Sequence, residues 1–297
     1  MSGYSTLSVN GPFDLALCLK VSSTFSPEKA EPPRTFRCAV RINSFPLLME
    51  VRQPNKKEPI LEITGPSSRY DKDLKNLAHW MLFGDLDLKP FYRLARGHPK
   101  LSSIIEQLRG LKPFRPPSLF EMAVTAITEQ QISLAAAYRI RLRLIETFGN
   151  RIGDLWAFPA PERLARASIE EIMKCGLSYR KATYVSGITG KIADGSLDLD
   201  LLKGMGDDDA RSFIMDLRGF GRWSADYILI RGLGRMDCIP ADDLGIQTVV
   251  GKHLGKGSRL SSEGVQKALE PFKPYRGLAA FYLLAHSRLH AIKKRIV

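Results

Sequence analysis

The chain has 297 residues, 44% hydrophobic and 25% charged, with a formal net charge of +13. That composition rules against a disordered chain, and the four scattered cysteines, Cys18, Cys38, Cys175 and Cys238, rule against a disulfide framework or a closely spaced metal cluster. No apolar run is long enough to span a bilayer and no basic-then-apolar leader opens the chain, so a soluble, cytoplasmic monomer with no membrane partner is expected.

The positive excess is uneven. Residues 1–90 carry 12 basic and 10 acidic side chains, while residues 91–297 carry 32 and 21. The later two thirds should therefore meet a polyanion, nucleic acid before membrane surface. In chain order, Phe13–Val21, Phe36–Ile42, Phe45–Val51 and Ile60–Thr64 are short apolar runs between turn residues, which predicts antiparallel strands. A helix over Asp71–Phe83 would cover the sheet. The texture then turns helical: Pro90–Ala95, Ser102–Leu108, and a proline-rich stop at Leu111–Ser118. Ser118 and Glu121 predict a capping box ahead of the next helix. Further helices are expected over Leu134–Phe148, Pro161–Lys174 and Arg180–Ala193, and from Asp207 to the stop at Gly219. The last three are Asp243–His253, Ser261–Leu269 and Tyr275–Ile292. The fold class is mainly α, a helical core preceded by a small α+β domain with an antiparallel sheet.

Two glycines flank one apolar residue in Leu217-Arg218-Gly219-Phe220-Gly221, between two helical stretches. Glycine permits positive φ and close backbone approach, and a helix start beside the turn offers free amides to a phosphate. Phe220 would plug the hairpin into the core. Downstream, Pro240-Ala241-Asp242-Asp243 opens another helix. One aspartate there is needed only as a cap; a second is free to act.

LRGFGRWSADY followed by PADDLGIQ resembles the signature of the helix-hairpin-helix DNA glycosylases that carry a Gly/Pro-rich loop and an aspartate, and is most similar to their 3-methyladenine DNA glycosylase II (AlkA) type. SLFEMAVTAITEQQIS (118–133), GLSYRKATYV (176–185) and the stretch 87–113 are similar to further parts of that family, so the likeness covers most of the chain. It implies a helical glycosylase core at 89–297 behind an α+β domain at 1–88. The core would divide into a central subdomain, about 114–233, and a second one formed by 89–113 with 234–297.

What the resemblance implies chemically is release of a damaged base from double-stranded DNA. Cleaving a base from deoxyribose builds oxocarbenium character at the sugar, which a nearby carboxylate stabilises. The aspartate directly before Leu-Gly is Asp243; alignment on Pro240 selects Asp242 instead. Bifunctional relatives have a lysine two residues after the second glycine. Trp223 stands there, and no lysine lies between Leu217 and Val250, so the resemblance implies a monofunctional enzyme with no lyase step.

Trp223 would stack on an extruded, electron-poor alkylated purine, with Tyr227 four residues on along the same helix face. Phe13, Phe281, Tyr282 and Arg288 match positions beside the family's pocket, and His286 reads as structural. Gln131 in the Glu129–Ile132 turn is the candidate minor-groove wedge. Backbone phosphates would meet the amides of Gly219, Phe220 and Gly221 and the side chains of Arg218, Arg222, Arg180 and Lys181, with Arg139 and Arg143 as further candidates. No cofactor or catalytic metal is implied, beyond a structural cation at the DNA-bound hairpin. Competing readings are an 8-oxoguanine-type glycosylase, which usually needs the missing lysine, and a non-catalytic hairpin protein, which needs no aspartate loop.

Overall fold

A computed structural model describes residues 3–24 and 35–296. The chain opens with β1 (Gly3–Ser8), α1 (Leu15–Ser22), β2 (Thr35–Ile42), β3 (Phe45–Arg52) and β4 (Ile60–Gly65). The strands form one antiparallel sheet in the order β1-β4-β3-β2, with Tyr4 opposite Thr64, Val51 opposite Ile63 and Cys38 opposite Met49. The run Phe13–Val21, expected as a strand, is instead helix α1, and the fourth strand is the unforeseen β1. Asp14 caps α1 by accepting from the Leu17 amide at 3.0 Å, and Leu15, Cys18 and Val21 recur at helical spacing on its buried face. A short apolar run fits either period, and the capping aspartate decides it.

Next come α2 (Asp71–Met81), which packs on β1 and β4, then α3 (Leu88–Ala95) and α4 (Pro99–Gln107). Beyond the proline-rich stop lie α5 (Leu119–Glu129), α6 (Leu134–Phe148), a two-stranded hairpin of β5 (Asn150–Ile152) and β6 (Leu155–Ala157), α7 (Pro161–Ala165) and α8 (Ile169–Lys174). The single helix expected over Pro161–Lys174 is broken in two, because Ser168 and Glu171 form a complete capping box in its middle. The unforeseen β5–β6 hairpin docks on β2, where Arg37 holds Asp154 through hydrogen bonds of 3.0 and 3.1 Å.

Then follow α9 (Tyr179–Ala193), α10 (Asp207–Met215) and α11 (Arg222–Ile228), which continues as a π-helical turn over Leu229–Leu233. α12 (Leu244–His253), α13 (Ser262–Leu269) and α14 (Arg276–Ile296) complete the described chain. Among the described residues no helix is long and apolar enough to cross a membrane.

Two buried clusters organise these elements. The first joins the sheet and α1–α4 to α12–α14, although residues 108–243 lie between the two parts in sequence. The second is built around α5 and includes α6–α11. Each fully buried Leu, Ile or Phe contributes roughly 1.5–3 kcal/mol by leaving water, so both clusters are robust supports.

The linker 111–118 seals the seam between them. The buried ammonium of Lys112 donates to Asn10 O at 2.8 Å and Phe83 O at 2.9 Å. Arg115 lies over the rings of Trp80 and Phe83 and donates to Leu233 O at 3.2 Å. Burial costs each cation hydration, which these carbonyls and ring faces replace.

Candidate active site

A cleft of about 1210 Å³ runs between the two clusters, walled by α5 and α11 on one side and by α12 and α14 on the other. Chain crossing the seam is what brings distant residues together here: Trp223, Tyr227, Asp242, Asp243, Phe281, Arg288 and Gln131 all line it.

The two aspartates are told apart by their partners. Asp243 is the N-cap of α12, one carboxylate oxygen accepting from the Ile246 amide at 3.0 Å, so the expected division between a capping aspartate and a free one does not hold. Its other oxygen accepts from the indole N–H of Trp223 at 3.1 Å. The carboxylate that faces the cleft is thus fixed at both oxygens. Asp242 is exposed and accepts a hydrogen bond from the hydroxyl of Ser262 in α13. Gln247 braces the loop from beneath, donating to Ala241 O at 3.1 Å and to Ser262 Oγ at 3.2 Å. Sequence reasoning had no signal for that brace, because it forms across a turn of α12.

Trp223 stacks on Tyr227 with ring centroids 5.1 Å apart and planes inclined by 23°. Arg288 enters from α14, its Nη1 donating to Thr24 O at 3.2 Å. Burial pulls its basicity down, while Asp243, Tyr227 and Glu129 facing it act the other way. Phe281 also reaches the cleft.

Two expected pocket aromatics do not. Tyr282 is fully buried in the first cluster; its hydroxyl donates to Leu111 O at 2.8 Å and lies 3.0 Å from that of Tyr92. Phe13 is buried at the start of α1 under the Lys112 ammonium and borders a different cavity, of about 1070 Å³. Ala280, Phe281 and Leu284 of α14 line the cleft, and Tyr282 is turned into the first cluster instead.

At the hairpin, Gly219 has φ +99°, and a Cβ there would sit 2.4 Å from the Tyr184 ring, so only glycine fits. Phe220 is buried, and its amide already donates to Leu217 O at 3.1 Å, which removes it from the expected phosphate donors. Gly221 has ordinary φ −104°, and a Cβ there would meet open space. Arg218 is exposed on the turn.

Arg222 is partly committed, donating to Asp226 Oδ2 at 3.1 Å, a buried carboxylate that Arg211 also holds at 2.7 Å. Arg180 is exposed and donates to the Tyr184 hydroxyl at 2.7 Å. Lys181 departs from expectation: its ammonium caps the C-terminal end of α5, donating to Thr128 O at 3.0 Å and Gln130 O at 2.6 Å, and burial lowers its pKa. Arg139 and Arg143 are exposed on α6. His286 packs edge-on against His253 and beside His290, and burial together with those neighbours lowers its pKa to about 4.

The turn after α5 holds Gln131 exposed at φ +55°, a conformation L side chains adopt at a cost of about 1–3 kcal/mol. Its neighbour Gln130 donates to Gly219 O at 2.9 Å and Ser224 Oγ at 3.0 Å, tying this turn to the hairpin. The cleft also contains acidic groups that sequence reasoning passed over. Glu121, which was expected only as a capping partner, forms an i, i+4, i+8 stripe with Thr125 and Glu129 on a mainly apolar helix.

Only half of the expected capping box forms at Ser118. Its hydroxyl accepts from the Glu121 amide at 3.1 Å, while the Glu121 carboxyl borders the cleft, where burial raises its pKa to about 7 against the opposing pull of Arg141. Among the described residues no group of histidines, cysteines and carboxylates is arranged to hold a metal.

Residues 124–274, just over half of the chain, match the sequence profile described as "HhH-GPD superfamily base excision DNA repair protein". The chain belongs to that superfamily. Among its relatives, DNA-3-methyladenine glycosylase of Bacillus subtilis is 28% identical over 253 residues, covering 82% of this chain and 83% of that protein. The solved structure of 3-methyladenine DNA-glycosylase from Archaeoglobus fulgidus superimposes with a TM-score of 0.85, at 24% identity and over 97% and 99% of the two chains. The 8-oxoguanine glycosylase/lyase of Clostridium acetobutylicum, solved with DNA, shares the fold with a TM-score of 0.74 at 16% identity, over 95% and 93% of the chains. The fold of this HhH-GPD protein is therefore common to enzymes named for different substrates, and its own chemistry resides in the cleft.

Proposed function

We propose that the protein is a monofunctional DNA glycosylase that acts as a monomer on double-stranded DNA and hydrolyses the bond between deoxyribose and an alkylated purine of the 3-methyladenine type. The observation that carries this reading is the Asp243 carboxylate, facing the cleft with one oxygen on the Trp223 indole N–H and the other on the start of α12.

The duplex would lie against the Gly219–Gly221 hairpin and the turn before α9, with Gln131 filling the gap left by the extruded base. The base enters the cleft and stacks on the Trp223–Tyr227 pair, whose electron-rich faces favour a cationic purine. As the C1′–N bond breaks, its electron pair leaves with the base, so a cationic alkylated purine departs neutral. The positive charge that grows on the sugar is stabilised by Asp243. Water then adds to C1′, gives its proton to Asp243, and leaves an intact abasic sugar. No cofactor enters these steps.

A lyase step needs an amine at the sugar. Lys181 is the one lysine among the described residues on the cleft, and its ammonium is engaged by two carbonyls. Similarity to the B. subtilis relative favours the alkylated-purine assignment.

The test is base release from duplexes carrying single defined lesions. Wild type should release alkylated purines; Asp243→Asn should lose release by about 10³-fold or more while keeping most of its duplex affinity. Borohydride should trap no protein–DNA adduct. Unimpaired release by Asp243→Asn, or a trapped adduct, refutes the scheme.

A further inference from the structure

The cleft holds a carboxylate that the hydrolysis itself leaves unused. Glu129 closes α5 with a side chain 8% exposed and pairs with Arg141 of α6. Desolvation offsets much of what a buried ion pair gains, so stability alone is a weak reason to keep one. What the pair provides is a carboxylate in a fixed place.

That carboxylate and Tyr227 line the cleft together, within hydrogen-bonding reach of each other; burial raises the phenol pKa most, and the neighbouring Glu129 raises it further. Tyr227 in turn stacks on Trp223, whose indole N–H reaches Asp243 at 3.1 Å. The contacts form one line, Arg141–Glu129–Tyr227–Trp223–Asp243, which starts in the second cluster and ends at α12 on the first. Glu129 also sits on a stiff base. Lys181 holds the carbonyls of Thr128 and Gln130, and Gln130 is bonded to the hairpin at Gly219 and Ser224.

We infer that Glu129 is a positioning residue: anchored by Arg141, it fixes the Tyr227 hydroxyl and ring, which hold Trp223 in the plane from which its N–H orients the Asp243 carboxylate. The phenol donates its O–H to Glu129, so the ring cannot turn without losing that bond, and a turned ring no longer offers the indole a parallel face. Nothing in this scheme requires Glu129 to touch the substrate. The inference rests on Asp243 being the hydrolytic carboxylate, as proposed above.

The experiment uses the full chain and a labelled duplex with one 7-methylguanine. Single-turnover release is measured with enzyme in excess, and duplex affinity by anisotropy, for wild type, Asp243→Asn, Glu129→Gln, Tyr227→Phe and the Glu129→Gln/Tyr227→Phe double variant. Glu129→Gln should slow release by about tenfold to a hundredfold, the cost of a slightly misplaced catalytic group, with Kd within about twofold of wild type. Tyr227→Phe should do the same. The double variant should be no slower than the slower single, because both remove one contact.

The inference is overturned by a Glu129→Gln rate within about twofold of wild type, by a double variant whose loss is the product of the singles, or by a loss in Kd with release untouched. Should Glu129→Gln melt early, Tyr227→Phe decides, since it leaves the Glu129–Arg141 pair intact: slowed release supports the inference and unchanged release overturns it. A wild type that releases no base, or an Asp243→Asn as fast as wild type, overturns the functional reading together with this one. An active wild type and a dead Asp243→Asn beside an unaffected Glu129→Gln overturn this one alone.

Discussion

Replacing Trp223 with phenylalanine isolates one atom of the site. Phenylalanine keeps an aromatic face against Tyr227, now 5.1 Å from the indole, and removes the N–H that reaches Asp243 Oδ2 at 3.1 Å. A hydrogen bond to a charged acceptor contributes about 1.5–3 kcal/mol. Asp243 keeps its second anchor, the Ile246 amide at 3.0 Å, so the carboxylate loosens and does not leave. We therefore take the lower half of that range. At about 1.4 kcal/mol per factor of ten, single-turnover base release should fall roughly tenfold to fortyfold, with duplex affinity nearly unchanged. Trp223→Ala also removes the stacking face and should be slower again by about twofold to tenfold, since an aromatic stack adds about 0.5–1.5 kcal/mol beyond the area it covers. The assay is a quenched-flow time course on a lesion-bearing duplex, with enzyme in excess. A Trp223→Phe rate equal to wild type refutes the claim that the indole N–H orients the carboxylate. Equal losses in the two variants refute the separation of N–H from stacking face.

Glu121 and the hairpin glycines give the remaining tests. The Glu121 carboxyl has its pKa raised from 4.5 to about 7, so between those values the folded state binds a proton that the unfolded state has lost. Stability therefore falls as pH rises from about 4.5 to 7 and stays at its deficit above 7. Glu121→Gln should raise Tm by about 2–4 °C or more at pH 8 and leave it unchanged at pH 4.5; a Tm difference that is the same at both pH values contradicts the assignment. Gly219→Ala should cost about 1–3 kcal/mol in denaturant unfolding, because φ +99° is unfavourable for alanine and the Tyr184 ring occupies the methyl site. Gly221→Ala should leave Tm within about 1 °C yet weaken duplex binding, since its methyl would stand in open space on the approach side. Equal Tm losses at the two glycines contradict that difference.

Much of the cleft was legible because its chemistry is written in short stretches. A glycine with φ +99°, a tryptophan four residues before a tyrosine, and an aspartate capping a helix each have a local cause, although the choice of Asp243 over Asp242 came from the family resemblance. Gln131 came from the family resemblance, which placed a wedge in the turn before α6, and its positive φ had no signal in the sequence. Phe13 and Tyr282 failed for the opposite reason. An aromatic ring suits a core and a pocket equally, and the choice between them depends on which face of a helix meets which neighbour. Lys181 failed because the cation that attracts a phosphate is equally suited to a helix C-terminus.

The acidic stripe of α5 marks where reading by residue type stops and reading by cost begins. Leu119–Glu129 is the most deeply buried helix of its cluster, with eight buried residues among eleven, and in such a place an apolar side chain stabilises the fold more than a carboxyl does. Glu121 and Glu129 are nevertheless there, one held near neutrality and the other paired with Arg141. Both border the cleft that contains Asp243. Departures from the most stable solution are expected where function sets the constraint. The separate tests of the stripe, stability for Glu121 and release rate for Glu129, ask different questions of the same helix.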